Sequence, residues 1–161
     1  MTHFGGTYSG KLDDKGRVPL PAPFRNLLEE GDKEQIYCRI GEVADCLKVY
    51  TKSAFDEKCA KMYEKFDEEN DEDVDEFGNT DVDYLNSFFK NSFQIAIDST
   101  GRILLSKILK NYIKAENEVT FSGNGKCILI SKKEVEEDQT ANLEMEKATK
   151  ARLRRKKELG V

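Results

Sequence analysis

Apolar positions along the chain recur first with a period of two and then with a period near 3.6, and this order is used twice. In the first pass, Tyr8, Gly10 and Leu12 fall on one face of an extended run. Val18-Pro19-Leu20 is extended too, and Pro19, with no N–H for a ladder, places it at a sheet edge. Residues 22–28 set Phe24, Leu27 and Leu28 at helical spacing, with Pro21 or Pro23 suited to the first turn. Two strands follow at 36–40 and 46–50, joined by Gly41-Glu42-Val43-Ala44-Asp45. Ser53, with Asp56 three residues on, has the form of a capping box. It would open a helix carrying Phe55, Cys59, Met62, Tyr63 and Phe66.

The second pass repeats the first. Residues 93–97 and 103–105 are extended, and Ser106 is an N-cap for a short helix that aligns Ile108, Leu109, Tyr112 and Ile113. Strands at 119–121 and 127–130 flank a turn, and Cys127-Ile128-Leu129-Ile130 answers Cys46-Leu47-Lys48-Val49. A last helix is expected from near Ser131, with Glu134 as its capping partner, to about Leu159. Internal duplication is the main architectural feature.

The most specific repeat is a turn. Asp13-Asp14-Lys15-Gly16-Arg17 returns 85 positions later as Asp98-Ser99-Thr100-Gly101-Arg102. An aliphatic residue precedes each (Leu12, Ile97) and an aliphatic run follows. Asp suits the first turn position, and Gly reaches a positive φ that a Cβ makes costly. Two extended runs joined this way read as a β-hairpin with a basic tip.

Charge changes the picture next. The formal net charge of −5 argues against nucleic acid, but the charges are segregated. Residues 67–83 hold ten acids and no base; residues 147–158 hold seven bases and one acid. Without the acidic run the formal charge would turn from −5 to +5, so different segments face different partners. The run itself reads as a mobile, solvated linker or insertion. The basic tail is either a solvated end or a nonspecific phosphate contact.

Several classes are disfavoured. No apolar run reaches the ~18 residues of a membrane span, and the start lacks a signal peptide's apolar core. Cys38, Cys46, Cys59 and Cys127 form no Cys-x-x-Cys pair, and His3 is the sole histidine. That disfavours a metal site or a disulfide framework and fits a reducing cytoplasm, with most cysteines acting as small buried hydrophobes. No nucleophile–base arrangement or phosphate-cradling loop is present; Gly5-Gly6 and Gly123-Asn124-Gly125 are too short for one. Neither an enzyme, a cofactor nor a small-molecule substrate is expected.

The paired motif, within LDDKGRVPLPAPFR and IDSTGRILLSKIL, resembles the MraZ family of bacterial transcriptional regulators, whose members carry two Asp-x-x-x-Arg copies. Phe4, Gly6 and Tyr8 before the first motif and residues 119–131 after the second extend the likeness over most of 4–135, the acidic run excepted. Gly5 and Gly10 stand where the family commonly has Arg and His, and Ser106 where it has proline. The resemblance implies an α+β fold: a tandem AbrB-type swapped-hairpin domain, β-β-α-β-β-α used twice. It implies a first repeat at 4–66, the acidic segment at 67–83, a second repeat at 84–135, and a C-terminal helix and basic tail at 136–161. It further implies a homo-oligomeric ring, associated with the nucleoid in the cytoplasm. That ring would bind tandem promoter repeats and repress the division and cell-wall gene cluster.

The candidate site follows from both lines. A two-stranded ribbon fits the DNA major groove, where Arg holds guanine O6 and N7 in bidentate fashion. Arg17 and Arg102 are the candidate readers, Arg17 above all, since Ser99 and Thr100 leave the second tip less basic. Lys15 and Lys11 are candidate phosphate contacts, which position without specifying. Asp13 and Asp98 would aim the arginines, and Gly16 and Gly101 would shape the turns. Arg25 reads as a solvated surface charge. Three other readings compete. The Asp–Arg pairs could be turn-stabilising salt bridges contributing only ~0–1 kcal/mol each. The chain could be an adaptor whose hairpins mediate assembly without DNA. An antitoxin is a neighbouring alternative, but antitoxins of this type usually carry one hairpin domain and a toxin-binding tail, and the duplication decides against it.

Overall fold

A computed structural model describes residues 2–133 and 136–160, with the backbone alone at 136–142. The first half holds β1 (Thr7–Lys11), β2 (Arg17–Pro19), α1 (Ala22–Arg25), β3 (Gln35–Val43), β4 (Cys46–Thr51) and α2 (Lys52–Lys65). An additional helix, α3 (Asp81–Lys90), precedes the second half. Then come β5 (Ser92–Ala96), β6 (Arg102–Leu104), α4 (Lys107–Tyr112), β7 (Glu118–Asn124), β8 (Cys127–Lys132) and α5 (Glu136–Glu158). The chain is thus a duplicated α+β fold. No helix among the described residues is long and apolar enough to cross a membrane.

The halves are interlocked. Six strands form one antiparallel sheet in the order β1-β7-β8-β4-β3-β5, and β2 pairs with β6 apart from it. So β1 lies beside β7 of the other half, with Tyr8 opposite Phe121, and β5 lies beside β3, with Ile36 opposite Ile95. The expected β1–β2 hairpin is therefore corrected. The Asp13 turn closes locally, but the strands it joins diverge into different sheets. Swapping lets the outer strands and the ribbon bury apolar faces that a lone hairpin would leave in water.

The main core joins the inner faces of sheet and ribbon. Val18 and Ile103 face each other across β2 and β6, and Phe24, Leu105, Leu109, Val119, Phe121 and Ile130 pack with them, all nearly or fully buried. Burying each such side chain contributes roughly 1.5–3 kcal/mol. Because the ribbon rests on this core, its outer residues are displayed on a rigid base.

A second cluster, Tyr50, Phe55, Phe88 and Cys127, carries α2 and α3 on the other side. Arg39 pins α3 here. It is 7% exposed, donates to the Phe88 carbonyl, to Ser92 Oγ at 2.6 Å and to Glu42 Oε1 at 3.0 Å, and lies 4.0 Å from the Phe88 ring centroid. Burial would raise the Glu42 pKa, but hydrogen bonds from Tyr50, Lys58 and Arg39 overcome it and lower it to about 2.

Helix ends differ from expectation at several places: α1 stops at Arg25 and leaves Leu27 43% exposed, and Ser106 stands before α4 without a side-chain capping bond. Thr51, not Ser53, caps α2, accepting the Ala54 N–H at 3.1 Å. Ser53 instead gives its N–H and hydroxyl to Asp32 Oδ1, at 3.1 and 2.9 Å, inside the first turn. The acidic run does not stay unstructured to Asp83. Thr80 and Asp83 form a reciprocal capping box, worth about 1 kcal/mol, that starts α3. Just before it, Asp75 accepts the Phe77 and Asn79 N–H groups at 2.9 and 3.0 Å and the Tyr84 hydroxyl. Ser131 lies in β8, paired with Thr120, so the last helix does not begin there; Glu134 lies outside the described residues.

All four cysteines are free thiols, with Cys38 and Cys127 buried and Cys46 and Cys59 half-buried.

Candidate nucleic-acid interface

The two repeated turns share one construction. Asp13 Oδ1 accepts the N–H groups of Lys15 and Arg17, both at 2.9 Å, and its Oδ2 accepts Arg17 Nε–H at 2.7 Å. The backbone closes the loop from Gly16 N–H to Asp13 O at 3.0 Å and from Asp13 N–H to Arg17 O at 2.9 Å. Asp98 Oδ1 likewise accepts the N–H groups of Thr100 and Arg102 at 2.9 Å, and its Oδ2 accepts Arg102 Nε–H at 3.0 Å. The Thr100 hydroxyl adds a bond to Asp98 Oδ1 at 2.8 Å. A carboxylate one methylene from the backbone reaches both N–H groups of such a turn, which is the physical content of Asp at its first position.

These donors set the charge state. The Arg17 N–H, with further hydrogen bonds from the Arg17 side chain and the Lys15 N–H, outweighs desolvation and lowers the Asp13 pKa. The Arg102 N–H does the same at Asp98, aided by Thr100, and holds that carboxyl well below the usual range. Both carboxylates stay ionised at neutral pH and anchor the arginines.

What each arginine keeps free matters more. Arg17 and Arg102 each donate Nε–H to their own aspartate, a side-on contact. Their terminal nitrogens make no hydrogen bond among the described residues; Arg102 Nη1 stands 4.0 Å from Asp13 Oδ2. A guanidinium held through Nε still presents its two-pronged end. A pair serving stability alone gains most from using both prongs on the carboxylate.

The ribbon then brings the two arginines together. Arg17 lies opposite Leu104, and Pro19 opposite Arg102, while Val18 and Ile103 point into the core. The outer face is therefore Arg17, Pro19, Arg102 and Leu104 around a pseudo-dyad, all at least part-exposed. Each turn is also gripped by the other half, through Leu105 N–H to Gly16 O and Leu20 N–H to Gly101 O, both 2.9 Å. Gly16 and Gly101 have φ of 86° and 82°. A Cβ on Gly16 would lie 2.8 Å from the Leu105 carbonyl oxygen, and one on Gly101 would collide with the Arg25 side chain.

Arg25 is not merely a solvated charge, as its sequence context suggests. It covers Gly101 and donates Nη1–H to the Thr100 carbonyl at 3.1 Å, across 75 residues. Its repeat counterpart Lys110 runs alongside the first turn, with Cδ 3.7 Å from the Gly16 Cβ position. Aligning the halves would have paired Arg25 with Lys110, but the exchange of contacts between halves hid what each touches. Leu104, 51% exposed between the arginines, carries no signal in the sequence that would single it out.

Lys15 extends from the first tip, and its ammonium has no ion-pair partner among the described residues. Lys11 does not join that tip. It lies opposite Glu118 and lines a separate groove with Lys114, Lys132 and Lys133, the last paired to Glu118 at 2.8 Å. The basic residues 147–157 lie on α5, exposed throughout. Among the described residues no group of three or more His, Cys, Asp or Glu is arranged to hold a metal ion.

Comparison with known proteins adds the lineage. The sequence model of the family described as "MraZ protein, putative antitoxin-like" matches residues 3–77 and 88–157. A Gluconobacter oxydans protein is 30% identical over 134 residues, covering 81% of this chain and 76% of its own length. One from Cytophaga hutchinsonii is 28% identical over 130 residues, covering 81% and 80%. One from Legionella pneumophila is 26% identical over 136 residues, covering 84% of each. All three carry the name transcriptional regulator MraZ, which denotes regulation rather than catalysis. The match runs through both halves and both turns, and the chain belongs to the MraZ family.

Proposed function

We propose that the chain is a sequence-specific DNA-binding transcriptional regulator, a repressor of the division and cell-wall gene cluster. It binds tandem promoter repeats as a ring-shaped homo-oligomer, in the cytoplasm at the nucleoid. The observation that carries this reading is the pair of arginines on one exposed ribbon, each fixed through Nε, with the forked end of Arg17 free and one prong of Arg102 at ion-pair distance, 4.0 Å, from Asp13 Oδ2. A two-stranded ribbon matches the major groove in width, and a forked guanidinium matches guanine O6 and N7. Lys15 contacts phosphate from the first tip, and Asp13, Asp98, Gly16 and Gly101 hold the readers in place. Lys11, on a neighbouring groove, is at most a flanking phosphate contact. One ribbon binds weakly, and a ring that meets several repeats gains through effective concentration.

The test is binding to a duplex of the tandem repeats upstream of the chain's own gene, at several salt concentrations. Arg17→Ala should remain folded by circular dichroism and lose about tenfold or more in affinity, from ~1–3 kcal/mol per bidentate contact. Wild type that forms oligomers but binds no DNA at low salt would instead favour an assembly protein.

A further inference from the structure

The ribbon's outer face holds a residue that an electrostatic DNA reader does not need. Leu104 is 51% exposed although it sits at the centre of a charged surface. It cannot turn inward, because β6 gives its inner position to Ile103, and alternation fixes Leu104 outward. Its cross-strand partner is Arg17, so the two side chains lie side by side on the same face. The pseudo-dyad mate of this pair is Pro19 beside Arg102, where the apolar group is smaller and rigid.

Cross-strand neighbours on one face lie about 5 Å apart, so an arginine on guanine O6 and N7 leaves its neighbour within reach of an adjacent base pair. The apolar feature of a major-groove edge is the thymine C5-methyl group. Resting on the DNA-binding reading above, we propose that Leu104 is a specificity determinant that packs against a thymine methyl adjacent to the guanine held by Arg17. Pro19, beside Arg102, makes a weaker contact of the same kind. The two nearly equivalent half-faces thereby prefer different sequences. The interface is then polar at the arginines and apolar between them.

The experiment uses the full-length oligomer and the tandem-repeat duplex, with each thymine near a guanine replaced singly by deoxyuridine, which lacks only the methyl. Wild type should lose about fourfold in affinity at one thymine per repeat, the value of burying one methyl-sized group. Leu104→Ala should bind the thymine and deoxyuridine duplexes equally and keep the wild-type salt slope. Sedimentation of Leu104→Ala gives a second readout, and it should show the wild-type oligomer. The inference is overturned if wild type binds but no deoxyuridine weakens it, or if Leu104→Ala retains the full methyl effect. It is also overturned if Leu104→Ala dissociates the oligomer while its sensitivity to the methyl is unchanged, which makes Leu104 a subunit contact. Wild type that fails to bind the unmodified duplex at all would remove the DNA-binding reading itself, an outcome separate from these.

Discussion

The two turns have the same backbone and different chemistry. Asp13 and Asp98 collect the same N–H groups at 2.9 Å, and Gly16 and Gly101 take nearly the same φ. Yet the first tip carries Asp14 and Lys15, where the second carries Ser99 and Thr100. In the second, the Thr100 hydroxyl turns inward to its own aspartate, while in the first Lys15 reaches outward. The covering residue differs as well: Arg25 hydrogen-bonds the second turn, whereas Lys110 lies along the first by its aliphatic stem. Duplication preserved what the turn needs in order to form and let diverge what faces a partner. The shared part holds the arginines in place, and the divergent part makes the two tips chemically distinct; in the proposed function it would set how each tip meets DNA.

The largest expected difference between the turns is steric. Gly16→Ala places a methyl 2.8 Å from a backbone oxygen that cannot give way without moving β6. Gly101→Ala meets only the Arg25 side chain, which can swing away. Both carry the cost of a positive φ, and Gly16→Ala should lose about 1–3 kcal/mol in chemical denaturation, more than Gly101→Ala. Equal losses would show that the backbone oxygen close to Gly16 adds nothing to the cost of the positive φ.

A middle-sized effect is electrostatic. Both aspartates are held below the ordinary unfolded value of ~3.9. A depressed folded pKa contributes stability that is present above the unfolded value and is lost as pH falls through the folded one. The acid limb of stability should therefore fall below about pH 4. In a carboxyl NMR titration Asp98 should titrate below Asp13, because Thr100 gives it both an N–H and an O–H. Thr100→Val should raise Asp98 and leave Asp13 where it was; an unmoved Asp98 would contradict the assigned role of the hydroxyl.

The smallest effect concerns the lysine. Lys15→Thr, which makes the first tip resemble the second, should flatten the salt dependence of log K by ~0.9 for each phosphate that is no longer neutralised. Thr100→Lys should steepen it by a similar amount. If neither slope moves, the tips do not differ in how they meet phosphate.

Much of the fold was legible because alternation and helical spacing are local. The strands at 36–40, 46–50 and 127–130 fall inside β3, β4 and β8, and the short helices bearing Phe24 and Leu109 start where the pattern puts them, although the first ends at Arg25 and Leu27 and Ile108 face solvent. The partner of each strand was not legible. Asp13–Arg17 has the same local hydrogen bonds whether the flanking strands pair or diverge, and the choice rests on Phe121 and Ile103, far along the chain in the other half. Capping failed where competition decided it. Thr51 and Ser53 both suit a cap, and the buried Asp32 claims the serine hydroxyl. The strand end at Ser131 was hidden because its pairing with Thr120 depends on the sheet and not on its neighbours. In the candidate site, the residues of the repeated motif were visible as a pattern. Arg25 and Leu104 acquire their places only through contacts across the two halves.

The central claim is that Arg17 acts through its forked end and not through its charge alone. The direct measurement is the affinity of Arg17→Lys for the tandem-repeat duplex and for the same duplex with the repeat guanines replaced by adenine. Lysine keeps the charge and removes the fork. Wild type should separate the two duplexes by about tenfold or more, and Arg17→Lys should nearly lose the distinction while its salt slope stays that of wild type. If Arg17→Lys discriminates as well as wild type, the forked guanidinium is not the reader, and Arg17 serves the turn or the phosphate backbone.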